Sequence, residues 1–451
     1  MTETAAAPLA PVAGKARIDV LDMLRGFAIL GIFFMNVPFM AASLGDLFGD
    51  PRAVGWTPAD QASWWTIRVL LEGTQRGLLE LLFGAGMMVL AARAMAPDGP
   101  VAVADLYWRR NLWLLAFGLF DIFVLGWAGD ILHVYALAAL FLFPFRKLGP
   151  KLLLALSLSL AAFVVVMGAT EYVSRSDLMH HAEAAQQKAA AGTAPSAAEK
   201  KALEDWRKKI EERKKGPPEM KEAAKMEREG RTGGLLDYLG LNIGTYLTFV
   251  FPSLILAVAE AFCVMLLGVA LWKWGVIQGQ RSTRFYLLLM LACYLPGFTL
   301  RAIGASEALL LTPVPKSYWM TQEFARIAVS VGHVALFNLA VRFAAGRFLL
   351  TPFKAAGRTA FSLYFMQQIV GLWILFAPWG PGLWGNLGWA GLAGVALAVI
   401  LAQLVIANLW VRHFANGPLE WAWRSLSYLK RQPMRRARQP DPAFGTGVLP
   451  A

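Results

Sequence analysis

The run Gly129-Asp130-Ile131-Leu132-His133-Val134-Tyr135 sets a carboxylate and an imidazole three residues apart. On a helix that spacing puts both side chains on one face, where the carboxylate can orient the ring and raise its basicity. An imidazole so held can take a proton from a hydroxyl or an amine, the step that general-base acyl transfer requires. The same residues have a plainer use: Asp130 can cap a helix and His133 can sit at a membrane interface. Asp121 lies shortly before them, near the end of the preceding apolar run.

Two further sets of polar residues fall within apolar stretches, where charged groups are costly and therefore candidates for function. Asp22 and Arg25 share a helix face and can pair, and Asn36 stands eleven positions beyond Arg25, about 16 Å along a helix axis. Arg25 can also simply reach the headgroup region with its long side chain. The third set holds Arg76, Glu80, Glu260, Arg301, Glu323, Arg326, His333, Gln367 and Gln368, some of which are expected to neutralise one another as ion pairs. No Ser-His-Asp order, phosphate-binding loop, dinucleotide glycine fingerprint or His-Glu metal signature occurs, so no metal is expected. His180 and His181 read as solvated, and His413 as interfacial. Cys263 and Cys293 each lie in an apolar run, which speaks against a disulfide framework.

The elements that must position these groups follow from composition. Of 451 residues, 57% are hydrophobic and 16% charged, too little polar surface for a water-soluble globule of this size. Lipid supplies the missing solvent. Seventeen Trp collect naturally at interfaces, and 41 Gly permit close helix contact. The net charge of +13 is spread between apolar runs and in the tail, not on one face, so no nucleic-acid partner is expected.

A ruler of about 20 apolar residues per crossing finds ten spans, near 26–44, 76–95, 109–127, 130–146, 151–171, 253–273, 284–302, 322–345, 359–379 and 388–412. Every alternate short loop is basic, beginning with Lys15 and Arg17, then Arg93, Arg109 and Arg110, which places both termini in the cytoplasm. The predicted fold is therefore an all-α polytopic membrane protein of about ten transmembrane helices, with interfacial helices and one polar helical insert. Residues 1–16, rich in Ala and Pro, lack a signal-peptide pattern and read as a disordered cytoplasmic lead. Two membrane halves of five spans, 17–172 and 234–430, flank an extracytoplasmic insert at 173–233, and 431–451 reads as a disordered basic tail. Leu203, Trp206 and Ile210 form one helical stripe in the insert, which is expected to divide near Gly216, Pro217 and Pro218. Its plainest role is a solvated spacer. Stretches 60–75 and 234–250 read as interfacial or re-entrant helices.

The segment Arg17-Ile18-Asp19-Val20-Leu21-Asp22-Met23-Leu24-Arg25-Gly26-Phe27, continuing to Asn36, resembles the opening of the YeiB family of bacterial membrane proteins. Arg76-Gly77-Leu78-Leu79-Glu80 through Gly86 and Gly129 through Leu137 resemble two further motifs of that family. Gly357-Arg358-Thr359-Ala360-Phe361-Ser362-Leu363-Tyr364 through Gln367, and Gly417-Pro418-Leu419-Glu420-Trp421, resemble its C-terminal signatures, although Leu363 stands where an Asn is usual. The family is similar to the wider group of transmembrane acyltransferases, which makes 17–172 the acyltransferase-like half. That similarity implies a bacterial inner-membrane protein with a cytoplasmic acyl-coenzyme A donor and an acceptor on the far side. Asn36 matches a position that O-acetyltransferases fill with histidine, so the base must lie elsewhere.

The resulting expectation is transfer of an acyl group, acetyl foremost, from acyl-coenzyme A to a hydroxyl or amine of an envelope glycan or small acceptor. His133, Asp130 and Asn36 are the expected catalytic residues. Asn36 donates to the thioester oxygen, and His133, oriented by Asp130, acts as base. Arg25, Arg76 and Arg358 are the expected donor-binding residues, guanidinium being suited to phosphate. Asp22, Tyr135, Glu260 and Gln367 are expected to meet the acceptor. The alternatives are a small-solute transporter using the same polar groups and an assembly protein whose insert recruits envelope partners; self-association as a homodimer stays open.

Overall fold

A computed structural model describes residues 18–92, 102–215 and 218–435. The expectations for 1–16, Lys15, Arg17, Arg93, the division at Gly216 and Pro217, and the tail beyond residue 435 lie outside the described residues. Within them the chain is helical, with no β-strand beyond one isolated bridge between Phe414 and Arg435.

The helices in chain order are α1 (Asp19–Gly31), α2 (Phe33–Ala41), α3 (Leu44–Phe48), α4 (Pro58–Thr66), α5 (Thr74–Ala91) and α6 (Ala102–Phe123). There follow α7 (Leu132–Leu142), α8 (Pro150–Ala190), α9 (Ala197–Lys215), α10 (Pro218–Thr232), α11 (Leu235–Thr245) and α12 (Leu254–Lys273). The series ends with α13 (Thr283–Ala308), α14 (Tyr318–Ala340), α15 (Ala344–Arg358), α16 (Ala360–Gln368), α17 (Trp389–His413) and α18 (Pro418–Tyr428).

Among the described residues, six helical runs are long and apolar enough to cross a membrane: 19–41, 150–190, 235–273, 283–308, 318–340 and 389–413. The other predicted spans fall on α5, α6, α7 and the apolar run 360–375, which are shorter or carry charges. The outer surface confirms the solvent these helices are built for. Ile255 is 86% exposed and Leu295 67% exposed, and such apolar side chains on successive turns are stable only against lipid. The polar side chains turn the other way: Glu80, Asp121, Asp130, His133, Arg326, Gln367 and Gln403 are all buried. Away from bulk solvent, such groups are stable only when partnered within the protein.

Helices α1, α5, α12, α14 and α16 form the interior, with α13 laid along α14 and α15 packed across α1. Helix α8 runs through residue 172 without a break and is about 60 Å long, roughly twice the hydrocarbon thickness. Its polar end pairs with α9, helped by the Lys188–Glu199 ion pair at 2.7 Å. The insert then returns to the membrane body. Glu227 on α10 accepts hydrogen bonds from Leu44 N at 3.1 Å and Ser43 Oγ at 3.0 Å, at the start of α3. Helices form where interfacial pieces were predicted, in α4 and α11, and α11 is continuous with the span that ends in α12.

Three segments wind as π-helix: Ile67–Leu71, Tyr246–Val250 and Ile369–Leu375. Such turns are rare and gather at functional sites. Here the first borders a charged cavity, and the second supplies the ring that faces His133.

Candidate functional site

Asp130 stands just before α7, and its Oδ2 accepts two hydrogen bonds: from the His133 backbone N at 2.8 Å and from the ring at Nδ1, 2.9 Å away. One carboxylate oxygen thus holds a first-turn amide of α7 and the imidazole of the same residue together. Its other oxygen, Oδ1, accepts from Tyr364 Oη on α16 at 3.1 Å, and Tyr364 Oη in turn accepts from Ile131 N at 3.3 Å. With Nδ1 carrying the proton that the carboxylate accepts, Nε2 presents a lone pair towards Tyr246 Oη, 3.4 Å away. Asp121 approaches Asp130 and Tyr364 from α6. Asp121, Asp130, His133, Tyr246 and Tyr364 are each 3% exposed or less, so the cluster is closed to water.

Close approach of α6 makes this possible. A Cβ at Gly118 would lie 2.6 Å from His133 N and 2.7 Å from Asp130 Oδ2, so only glycine lets the helix pass there.

A second cluster joins α5, α12 and α14. Arg326 donates from Nη1 to Glu80 at 2.9 Å, from Nη2 to Glu323 at 2.7 Å and from Nε to Glu323 at 2.9 Å, and its Nη2 is ion-paired with Glu260 at 2.7 Å. Arg76 pairs with Glu260 and lies 3.6 Å from Glu80. Of these groups, Arg76, Glu260, Glu323 and Arg326 border a cavity of about 400 Å³ that also receives Arg68, Glu72 and Arg301. Gly73 enters α5 at φ 71°, a left-handed turn that sets Arg326 against the helix start. Tyr135, two residues after His133, donates to the Arg76 carbonyl at 3.0 Å and so ties the two clusters through α7.

The third cluster lies at the other end of α1. Arg25 pairs with Asp22 at 3.0 Å, and Lys354 with Asp19 at 2.6 Å. Gly357 packs on the Asp22 carbonyl, which brings Arg358 to the same end, where its Nη2 donates to Ala415 O at 2.8 Å. Helix α16 begins at this point. Its first amides, Phe361 N at 2.6 Å and Ser362 N at 3.2 Å, are capped by the buried Glu420 carboxylate, which also accepts from Ser362 Oγ at 2.5 Å. That contact is why the segments around Arg358 and Glu420 belong together.

The sequence-predicted residues therefore divide. Asp130 and His133 meet as expected. Arg25, Asp22 and Arg358 gather at the α1–α15 junction, while Arg76 and Glu260 belong to the charged cavity. Gln367 donates to Ile29 O and to Gln403 Oε1, both at 3.0 Å, deep between α1 and α17. Asn36, on α2, is partly buried and makes no side-chain hydrogen bond among the described residues. Sequence reasoning did not single out Tyr246 or assign Tyr364 a partner. Among the described residues, no group of three or more His, Cys, Asp or Glu side chains is placed to hold a metal.

The lipid-facing helices and their buried polar clusters define a polytopic α-helical membrane protein. The chain belongs to the YeiB family. It is 30% identical over 441 residues to "Uncharacterized protein YxaH" of Bacillus subtilis, an alignment covering 95% of this chain and 98% of that one. It is 25% identical over 429 residues to "Uncharacterized protein YeiB" of Escherichia coli, covering 90% and 95% of the two chains. A protein from Bacillus acidopullulyticus, "Uncharacterized 39.9 kDa protein in amylase 3'region", is 24% identical over 440 residues, with 96% and 99% covered. Residues 271–430 match the family described as "Protein of unknown function (DUF418)". No solved structure matches the chain.

Proposed function

We propose that this protein is a membrane acyltransferase, moving an acyl group, acetyl foremost, from cytoplasmic acyl-coenzyme A to a hydroxyl or amine of an envelope glycan or small acceptor. The observation that carries the reading is the Tyr364–Asp130–His133 chain: an imidazole fixed at Nδ1 by a buried carboxylate, with Nε2 free to accept a proton. The acceptor takes the place of Tyr246 at Nε2. As its oxygen or nitrogen attacks the thioester carbon, its proton passes to Nε2. The carbon–sulfur bond then breaks, and the departing thiolate takes the proton from the imidazolium, leaving acylated acceptor and free coenzyme A thiol.

Arg358, which ends α15 shortly before Tyr364 on α16, is brought by Gly357 to the end of α1 that carries Asp22 and Arg25, which supports a donor-binding role for that end of the bundle. Asn36 serves as the donor of a hydrogen bond to the thioester oxygen. In this reading the protein lies in the bacterial inner membrane with both termini in the cytoplasm. Proteoliposomes given labelled acetyl-coenzyme A and a crude envelope-glycan fraction test it. His133→Ala is expected to abolish label transfer while inserting normally, and retained transfer removes His133 from the mechanism.

A second reading, passage of a small solute, is favoured by the charged cavity between α5, α12 and α14. Solute counterflow in donor-free vesicles supports it, and its absence counts against it.

A further inference from the structure

The cavity bordered by α5, α8, α12, α13 and α14 divides its charge. On one side, Glu260 and Glu323 line the wall beside Arg76 and Arg326, and Glu80, behind that wall, pairs with both guanidiniums, so three carboxylates meet two guanidiniums and one formal negative charge is left over. Arg326 donates to Glu80 once and to Glu323 twice and is ion-paired with Glu260, so its charge is engaged by these carboxylates. On the other side, Arg68 pairs with Glu72, and Arg301 makes no ion pair among the described residues. Arg301 donates instead to the backbone carbonyls of Val69 at 2.6 Å and Arg68 at 2.5 Å, so that at this wall two guanidiniums, Arg68 and Arg301, share the single carboxylate of Glu72. Between the two sides, Leu160, Val164, Leu256 and Leu300 give the cavity an apolar face.

We infer that this cavity is a binding site for a small zwitterion with an apolar body. A cationic amine meets the excess carboxylate at Glu260 and Glu323, an anionic carboxylate meets Arg301, and the hydrocarbon part lies on the leucine wall. Neither charge of such a ligand is buried alone, which is the condition for taking ions out of water. A volume of about 400 Å³ is at the small end of ligand pockets, roughly 300–1,000 Å³, and suits a solute of amino-acid size. The inference concerns binding alone and stands whether the protein transfers acyl groups or passes solute.

Titration calorimetry on the full chain in lipid nanodiscs, without acyl donor, tests it with three probes of one shape: L-leucine, N-acetyl-L-leucine and L-leucinamide. L-leucine is expected to bind, and each single-charge analogue to bind at least tenfold more weakly. Arg301→Gln is expected to weaken L-leucine at least tenfold and to leave L-leucinamide unchanged, while Arg301→Lys retains most of the affinity. Leu160→Trp, outside the charge network, fills the cavity from its apolar wall and is expected to block L-leucine; it replaces Arg301→Gln if that variant does not fold. No heat from L-leucine, equal affinity for all three probes, or unchanged L-leucine binding in Leu160→Trp overturns the inference.

Discussion

Tyr364 donates to Asp130 Oδ1 across 3.1 Å, joining residues 234 positions apart and tying α16 to the start of α7 at the imidazole of His133. The contact is buried, so the tyrosine hydroxyl supplies a hydrogen bond that water cannot replace. Tyr364→Phe strips this donor from Asp130 and an acceptor from Ile131 N. A loss of about 1–3 kcal/mol is expected, because Asp130 Oδ1 stays buried with its tyrosine donor removed. Thermal unfolding in a fixed detergent measures it, and a variant as stable as the parent shows the bond to be dispensable.

Gly118 sets how near α6 comes to the same cluster. Gly118→Ala puts a methyl group against His133 N and Asp130 Oδ2, both rigid parts of the α7 turn, so α6 must shift. Overpacking of this kind costs about 1–3 kcal/mol. Label transfer is expected to fall together with stability, and a variant with full transfer contradicts the geometry.

Arg326 holds three glutamates together, two of them on other helices. Arg326→Met leaves buried carboxylates uncompensated and is expected to cost about 3–5 kcal/mol. Arg326→Lys keeps the charge but not the planar fork that meets Glu323 twice, so it should recover only part of the loss. Yield and melting temperature of the three proteins decide this, and equal values for Met and parent refute it.

The polar insert is tied at two points with opposite responses to acid. Glu199 is held down to about 2 by the Lys188 ammonium and the backbone of Ser196, so its contribution to the α8–α9 pairing is complete above its ordinary value of 4.5 and is lost as pH falls towards 2. Burial pushes the Glu227 carboxyl up, so the α10 contact with Leu44 is firmest below 4.5 and weakens as pH rises through the raised value. Hydrogen exchange, corrected for intrinsic rate, should show α10 gaining protection as pH falls to 4.5 and α9 losing it as pH falls from 4.5 towards 2. Matching trends in both helices would falsify the assignment.

Much of this was legible in the residues. Apolar run length located the helices, and the three-residue spacing of Asp130 and His133 foretold their pairing, because helical neighbours are a local property. The partners across helices were not legible. Tyr364 could meet Asp130 only after α6, α7 and α16 had packed, and nothing in the spacing of Tyr246 shows that a π-helical turn aims it at His133. The pairing of Arg326 with glutamates from three helices is likewise a product of packing. The change to a polar composition near residue 173 resembled an element boundary, yet α8 continues to Ala190, because Lys, Glu and Ala sustain a helix in water as Leu and Val do in lipid.

The central claim is that Asp130 acts through the His133 ring as one unit, and a kinetic double-mutant cycle tests it most directly. Initial rates of label transfer are measured for Asp130→Asn, His133→Ala and the double variant in proteoliposomes. The account predicts a non-additive result, with the double variant no slower than His133→Ala alone. Losses that simply multiply, or full activity in His133→Ala, would contradict it.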